Sequence, residues 1–267
     1  MKYFFSPLAA LALLLAVTAC NKREDNDAPG EQKCPEGAVD LGVVMTRVDG
    51  TTYKLYWAKS NLCEDGLCAN ETDSGDFYAC GETVPYYTAG HSKDNPCSSW
   101  REGKDEGYTW SSYKWCDGPL NKLTKYCTDA SYGYMDYFDD ITELHRGEYG
   151  KPIDDAAREK LDGKWRIPTY LEWVALLDQC ECEWTTRNGI NGLLVTGNGN
   201  SIFLPAAGTR SEKELYHEGS YGYYWSATLN WDEPCYSWCL GFYDEGIDMT
   251  AGTLGRYYGE TIRPVSE

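Results

Sequence analysis

Twelve cysteines, three histidines, 22 tyrosines, ten tryptophans and 42 acidic residues are the raw material for any chemistry in this chain. Cys235 and Cys239 are four apart, a spacing that on a strand puts both on one side. A local disulfide and separate structural partners both fit that spacing. A reactive thiol wants a low-pKa environment, and no histidine or lysine lies near either cysteine in sequence. The cysteines form no paired CxxC arrangement, so a zinc site is not expected. His91, His145 and His217 are scattered through polar segments, and none is flanked by a nucleophile motif. With acids so abundant, no carboxylate pair stands out for glycoside hydrolysis. The expectation is a protein without catalytic activity.

The remaining signal is aromatic. Tyr221, Tyr223, Tyr224, Trp225, Trp231, Tyr236, Trp238, Tyr243, Tyr257 and Tyr258 stand among Gly, Ser, Asn and Asp. Rigid aromatic anchors with small adaptable neighbours make a paratope-like surface. Trp225 and Trp238 sit in strand-like runs and read as core. Trp231, Tyr243, Asp244, Arg256, Tyr257 and Tyr258 fall in turns or on the opposite strand face, and are the candidate ligand contacts. Loops within 61–150 are the other place such a surface would lie.

Elements must position these residues. Pro168 favours an extended Ile167, and Thr169 with Glu172 makes a capping box. Trp173, Leu176, Leu177 and Cys180 then follow on one helical face, so a helix runs over 170–180 with Trp165 and Trp173 in the core. Asp154 to Leu161 predicts a short helix with an acidic start and Gly163 as its stop. Strands are expected over 38–60 about an Asp49-Gly50 turn. Further strands are expected at 193–195, 202–204, 223–228, 236–242 and 261–265. In the run 236–242, Tyr236, Trp238, Leu240 and Phe242 alternate as the buried side. Residues 61–150 read as long loops pinned by disulfides.

Residues 1–20 read as a leader: Lys2, then an apolar run from Leu8 to Val17, too short to span a bilayer. It closes on Val17-Thr-Ala-Cys20, which resembles a bacterial lipobox, with Cys20 the lipidated residue. Residues 21–37 form a polar tether, and 38–267 a single domain. Glu24, Asp25 and Asp27 resemble the surface-export signal of Bacteroidetes lipoproteins, which implies an outer-membrane, lipid-anchored protein on the cell surface. The net charge of −18 argues against nucleic-acid partners. Exported cysteines point to disulfides. With Cys20 on lipid and Cys34 left unpaired in the tether, ten remain, enough for five bridges of open connectivity.

The stretch Gly163-Lys-Trp-Arg-Ile-Pro-Thr-Tyr-Leu-Glu-Trp173 is similar to a signature of the sulfatase-modifying-factor branch of the C-type-lectin-like superfold. Val39-Asp-Leu-Gly42, Gly75-Asp-Phe-Tyr-Ala79, Phe203-Leu-Pro-Ala-Ala-Gly208, Tyr223-Tyr-Trp-Ser226 and Ile262-Arg-Pro-Val265 extend the likeness. Over residues 38–265 the chain resembles the Fibrobacter succinogenes major paralogous domain of gut Bacteroidetes lipoproteins. The resemblance implies an α+β, C-type-lectin-like fold: two helices, short twisted antiparallel sheets and long loops that meet at one binding face. It implies a Cys80–Cys182 bridge, since both cysteines stand where the family has tryptophans. The family's sugar-binding branch uses calcium, but Glu233-Pro234-Cys235 has a thiol where an asparagine would bind calcium and sugar. Asp244, Glu245 and Asp248 are the remaining calcium candidates, and no cofactor is expected. Cys235 and Cys239 lack the motif of formylglycine-generating enzymes. The expected partner is an extracellular protein or glycan, with the lipid anchor as the membrane contact. A fimbrial accessory or tip subunit is the alternative, and a formylglycine-generating enzyme the more distant one.

Overall fold

The extended entry and capped helix form as the sequence predicts. Thr169 accepts from the Glu172 backbone N–H and the Glu172 side chain accepts from the Thr169 N–H. The helix ends at Cys180, whose extended backbone feeds the next strand. Glu172 also accepts from both terminal guanidinium nitrogens of Arg166, at 2.5 and 2.6 Å, in a buried bidentate pair. One carboxylate thus caps the helix and ties it to the strand that precedes it.

The computed structural model describes residues 33–86, 107–118, 122–135, 143–147, 153–161, 164–244, 246–248 and 254–267. In chain order the elements are β1 (Ala38–Thr46), β2 (Thr52–Ala58), β3 (Leu62–Cys63), β4 (Gly66–Leu67) and α1 (Ala156–Leu161). Then come β5 (Trp165–Arg166), α2 (Tyr170–Gln179), β6 (Glu181–Arg187), β7 (Ile190–Gly197), β8 (Asn200–Pro205), β9 (Thr209–Ser211) and β10 (Glu214–Tyr216). The last are β11 (Tyr221–Leu229), β12 (Tyr236–Tyr243), β13 (Gly246–Asp248), β14 (Leu254–Gly255) and β15 (Val265–Ser266). Cys34–Glu267 packs as one unit and Met1–Lys33 is another. The leader with Cys20, most of the tether, His91, Cys97, Gly163 and Glu245 lie outside the described residues, as do the side chain of Asp248 and much of 87–152. Among the described residues no helix is long and apolar enough to cross a membrane.

The architecture is α+β, built from small antiparallel sheets. The first strands pair with the last in the order β1-β2-β15-β5, so the two ends of the unit share one sheet. β6-β7-β8 is a meander, and β12 lies between β11 and β13. Leu41, Val43, Leu55, Trp57, Trp173, Leu176, Leu193, Val195, Ile202 and Leu204 form the main core with Leu240 and Phe242. Trp57 and Trp173 meet there at 4.7 Å between ring centroids. A second cluster, with Tyr78, Cys80, Trp225, Ala227 and Cys239, lies on the other side of β11 and β12.

That placement changes the reading of β12. Leu240 and Phe242 are buried as expected, but Ser237 and Cys239 on the opposite face are buried too, while Tyr236 and Trp238 are half-exposed. The strand runs between two cores, so simple alternation describes only its middle. Phe77-Tyr-Ala-Cys80 behaves the same way. Phe77 and Ala79 face a third cluster while Tyr78 and Cys80 face the second. The described part of 61–150 thus contains an extended buried run, and one local bridge, Cys63–Cys68.

The expected Cys80–Cys182 bridge is not formed. Both thiols are free. Cys80 is fully buried in the second cluster, whereas Cys182 packs against the main core from β6. The packed faces of two different layers separate them. Cys34 has an exposed free thiol.

Candidate functional site

Trp231 is 60% exposed and Met135 38% exposed, while the other described tryptophans are buried or half-buried. Both line a surface cleft of about 470 Å³ with Thr128, Asp129, Ala130 and Asp232. The wall that carries Trp231 is the turn between β11 and β12. Asn230 shapes it: its side-chain oxygen accepts from the backbone N–H of Asp232 and of Glu233, each at 3.1 Å. This side-chain mimicry of a backbone turn is the usual role of Asn in such loops. Thr128 on the facing wall donates its hydroxyl to the Trp231 carbonyl at 2.7 Å. The facing wall is held by a second such turn, in which Asp129 accepts from the Ser131 N–H and hydroxyl, each at 2.8 Å. Those bonds, first from the Ser131 backbone and then from its hydroxyl, lower the Asp129 pKa. The carboxylate at the cleft mouth is therefore held in its charged form.

Arg256 underlies both walls. It is completely buried, which corrects the expectation that it meets ligand. Its guanidinium donates to the carbonyls of Lys125, Tyr126 and Pro234 at 2.8–3.0 Å and to the Tyr113 hydroxyl at 3.2 Å. One planar fork thus clamps the segment leading to Thr128 and the turn behind Trp231. The segment is anchored again below: Asp154 accepts from the Tyr126 hydroxyl at 2.5 Å and pairs with the buried Lys125.

The other candidates separate. Tyr257 is half-buried against Trp110 at 4.9 Å and touches Tyr258 at 4.5 Å. Tyr258 packs against the second cluster. Tyr243 stacks on Tyr221 at 5.2 Å across the strand pair, with Asp244 exposed beyond it. Gly255, before Arg256, pairs with Tyr236 at the far end of β12. At about 3.3 Å per residue, the seven steps from Tyr236 to Tyr243 put roughly 23 Å between the two groups. Trp231 belongs with the Tyr236 end, so the expected single face is two surfaces. Thr128, Asp129 and Met135 were not singled out by the sequence, since only the fold brings them beside Trp231.

The Cys235 thiol sits in a setting that disfavours its ionised form. Burial pushes the Cys235 thiol up to about 11, with Glu233 adding to the effect. That is the opposite of an activated nucleophile. Among the described residues no group of three or more His, Cys, Asp or Glu side chains is placed to hold a metal. Comparison with models of known protein families, with curated proteins and with solved structures finds no match.

Proposed function

We propose that this chain is a lipid-anchored binding protein of the outer cell surface, without catalytic activity, that recognises an extracellular protein or glycan at the Trp231 cleft. The observation that carries the reading is an exposed tryptophan on a loop whose backbone is fixed by Asn230, Thr128 and Arg256. An exposed aromatic side chain on a fixed backbone costs less ordering on contact than one on a loose loop, which suits a binding hot spot. Such a ring stacks on a sugar face or fills a pocket in a protein partner. The finer fold reading is C-type-lectin-like. It is supported by the sheet that joins the first strands to the last and by two helices ahead of a strand-rich half. The lipid anchor rests on the Val17-Thr-Ala-Cys20 sequence. Its test is the variant Cys20→Ala: it should leave the membrane fraction, and continued membrane retention contradicts the anchor. The binding reading is tested by probing a glycan array and a panel of extracellular proteins with the wild type and Trp231→Ala side by side. Loss of the captured ligand in the variant, with unchanged melting, is the expected result.

A further inference from the structure

β6 is an edge strand, paired among the described strands with β7 alone. The two are joined by a two-residue turn, Asn188-Gly189, with φ of 51° and 82°, and the flanking pair is Arg187 and Ile190. In a two-residue hairpin the flanking pair exchanges both backbone hydrogen bonds, and the pattern then alternates. Glu181, Glu183, Thr185 and Arg187 therefore direct their N–H and C=O groups inward to β7. Cys182, Trp184 and Thr186 direct theirs outward, where no described residue accepts or donates. Side chains alternate as well. Cys182 and Trp184 pack toward the main core, leaving the four odd-numbered residues on the outer face.

We infer that β6 is a self-pairing edge, on which a second copy of this chain docks antiparallel about a two-fold axis at Trp184. Charge and the length of the ladder together select this register. Centred on Cys182, the pairing sets Glu181 against Glu183 of the other copy, and centred on Glu183 it sets Glu183 against itself; like charges directly opposite destabilise a sheet. Centred on Trp184, Glu181 of each copy faces Arg187 of the other and Glu183 faces Thr185. All three outward residues then find partners: Trp184 with Trp184, and Cys182 with Thr186 twice over. A register centred on Thr185 also avoids the clash, but it leaves Cys182 unpaired and shortens the ladder. Arg187 keeps donors for this pairing, because its bond to Glu71 uses one terminal nitrogen of the guanidinium. The two Trp184 rings, each half-exposed in a single copy, would cover one another. A strand pairing of this length is small beside permanent dimer interfaces, so the association is a reversible one that depends on concentration and salt.

Sedimentation equilibrium of the full chain in nonionic detergent tests the proposal. The wild type should show a monomer–dimer equilibrium that shifts to monomer as salt rises. Glu181→Lys, which sets Lys against Arg in two places, should weaken the dimer by about tenfold or more, with unchanged melting because Glu181 is exposed. Thr186→Cys supplies a second readout. Mild oxidation should link Cys182 of one copy to the new thiol of the other, identified by mass spectrometry of the non-reduced digest. A wild type that stays monomeric overturns the proposal. So does a dimer that ignores Glu181→Lys and gives no such cross-link, since it would be joined through another face.

Discussion

At Arg256, each donating nitrogen of the guanidinium is taken by a carbonyl or hydroxyl of a segment that would otherwise be loose loop. Lysine could not reproduce that fork, and an apolar residue would leave three carbonyls without a donor. Arg256→Met should therefore lower unfolding free energy by about 3 kcal/mol, read from urea denaturation, and loosen the cleft walls together. A loss under ~0.5 kcal/mol would mean that water replaces the clamp. Glu260 makes a different test. It is completely buried and burial raises its pKa well above the usual 4.5, though Thr209 donates to one oxygen at 2.5 Å and opposes the shift. The folded state thus holds the proton that the unfolded chain gives up. Its contribution is complete below pH 4.5 and is lost as pH rises toward the folded value. Glu260→Gln removes that dependence, so its melting temperature should gain on the wild type between about pH 4.5 and 7. A constant difference across that range would contradict a raised folded pKa.

The α2 helix shows what one capping box can organise. Removing the Thr169 hydroxyl should cost about 1 kcal/mol, whereas Trp173→Ala, at the centre of the main core, should cost about 3–5 kcal/mol; chemical denaturation measures both, and a reversed order would refute the cap as a local device. This helix was legible because Pro168, Thr169, Glu172 and the apolar spacing agree with each other. The β1–β2 hairpin was legible through Asp49-Gly50, and β7 and β8 were legible as the strands at 193–195 and 202–204. β6 was missed, although Asn188-Gly189 marks its turn, because Glu181 to Arg187 carries few apolar residues for alternation to reveal. At the site, Trp231 could be picked out as an aromatic in a turn. Arg256 could not be assigned correctly, since the sequence around it does not show that three carbonyls from distant segments enclose it. Tyr243 was wrongly joined to Tyr257 because spatial grouping depends on which end of β12 each residue meets.

Across the described residues, buried charge braces the fold and Trp231 is left exposed. Arg166 with Glu172 joins helix to strand, and Arg263 donates to Asn61, Ala58 and Phe203 between the opening strands and the meander. These internal clamps hold short sheets and long connections in register without a dense disulfide framework among the described residues. The surface they support presents Trp231 and Met135 beside Asp129 and Asp232. The central claim is that this cleft is where the protein meets its ligand. The direct measurement is titration calorimetry of the ligand captured by wild-type protein against wild type and Trp231→Ala, with melting curves of both. The account predicts a loss of about 2 kcal/mol or more in binding free energy for the variant, at an unchanged melting temperature. Equal affinity at equal stability would contradict it and place the binding surface elsewhere.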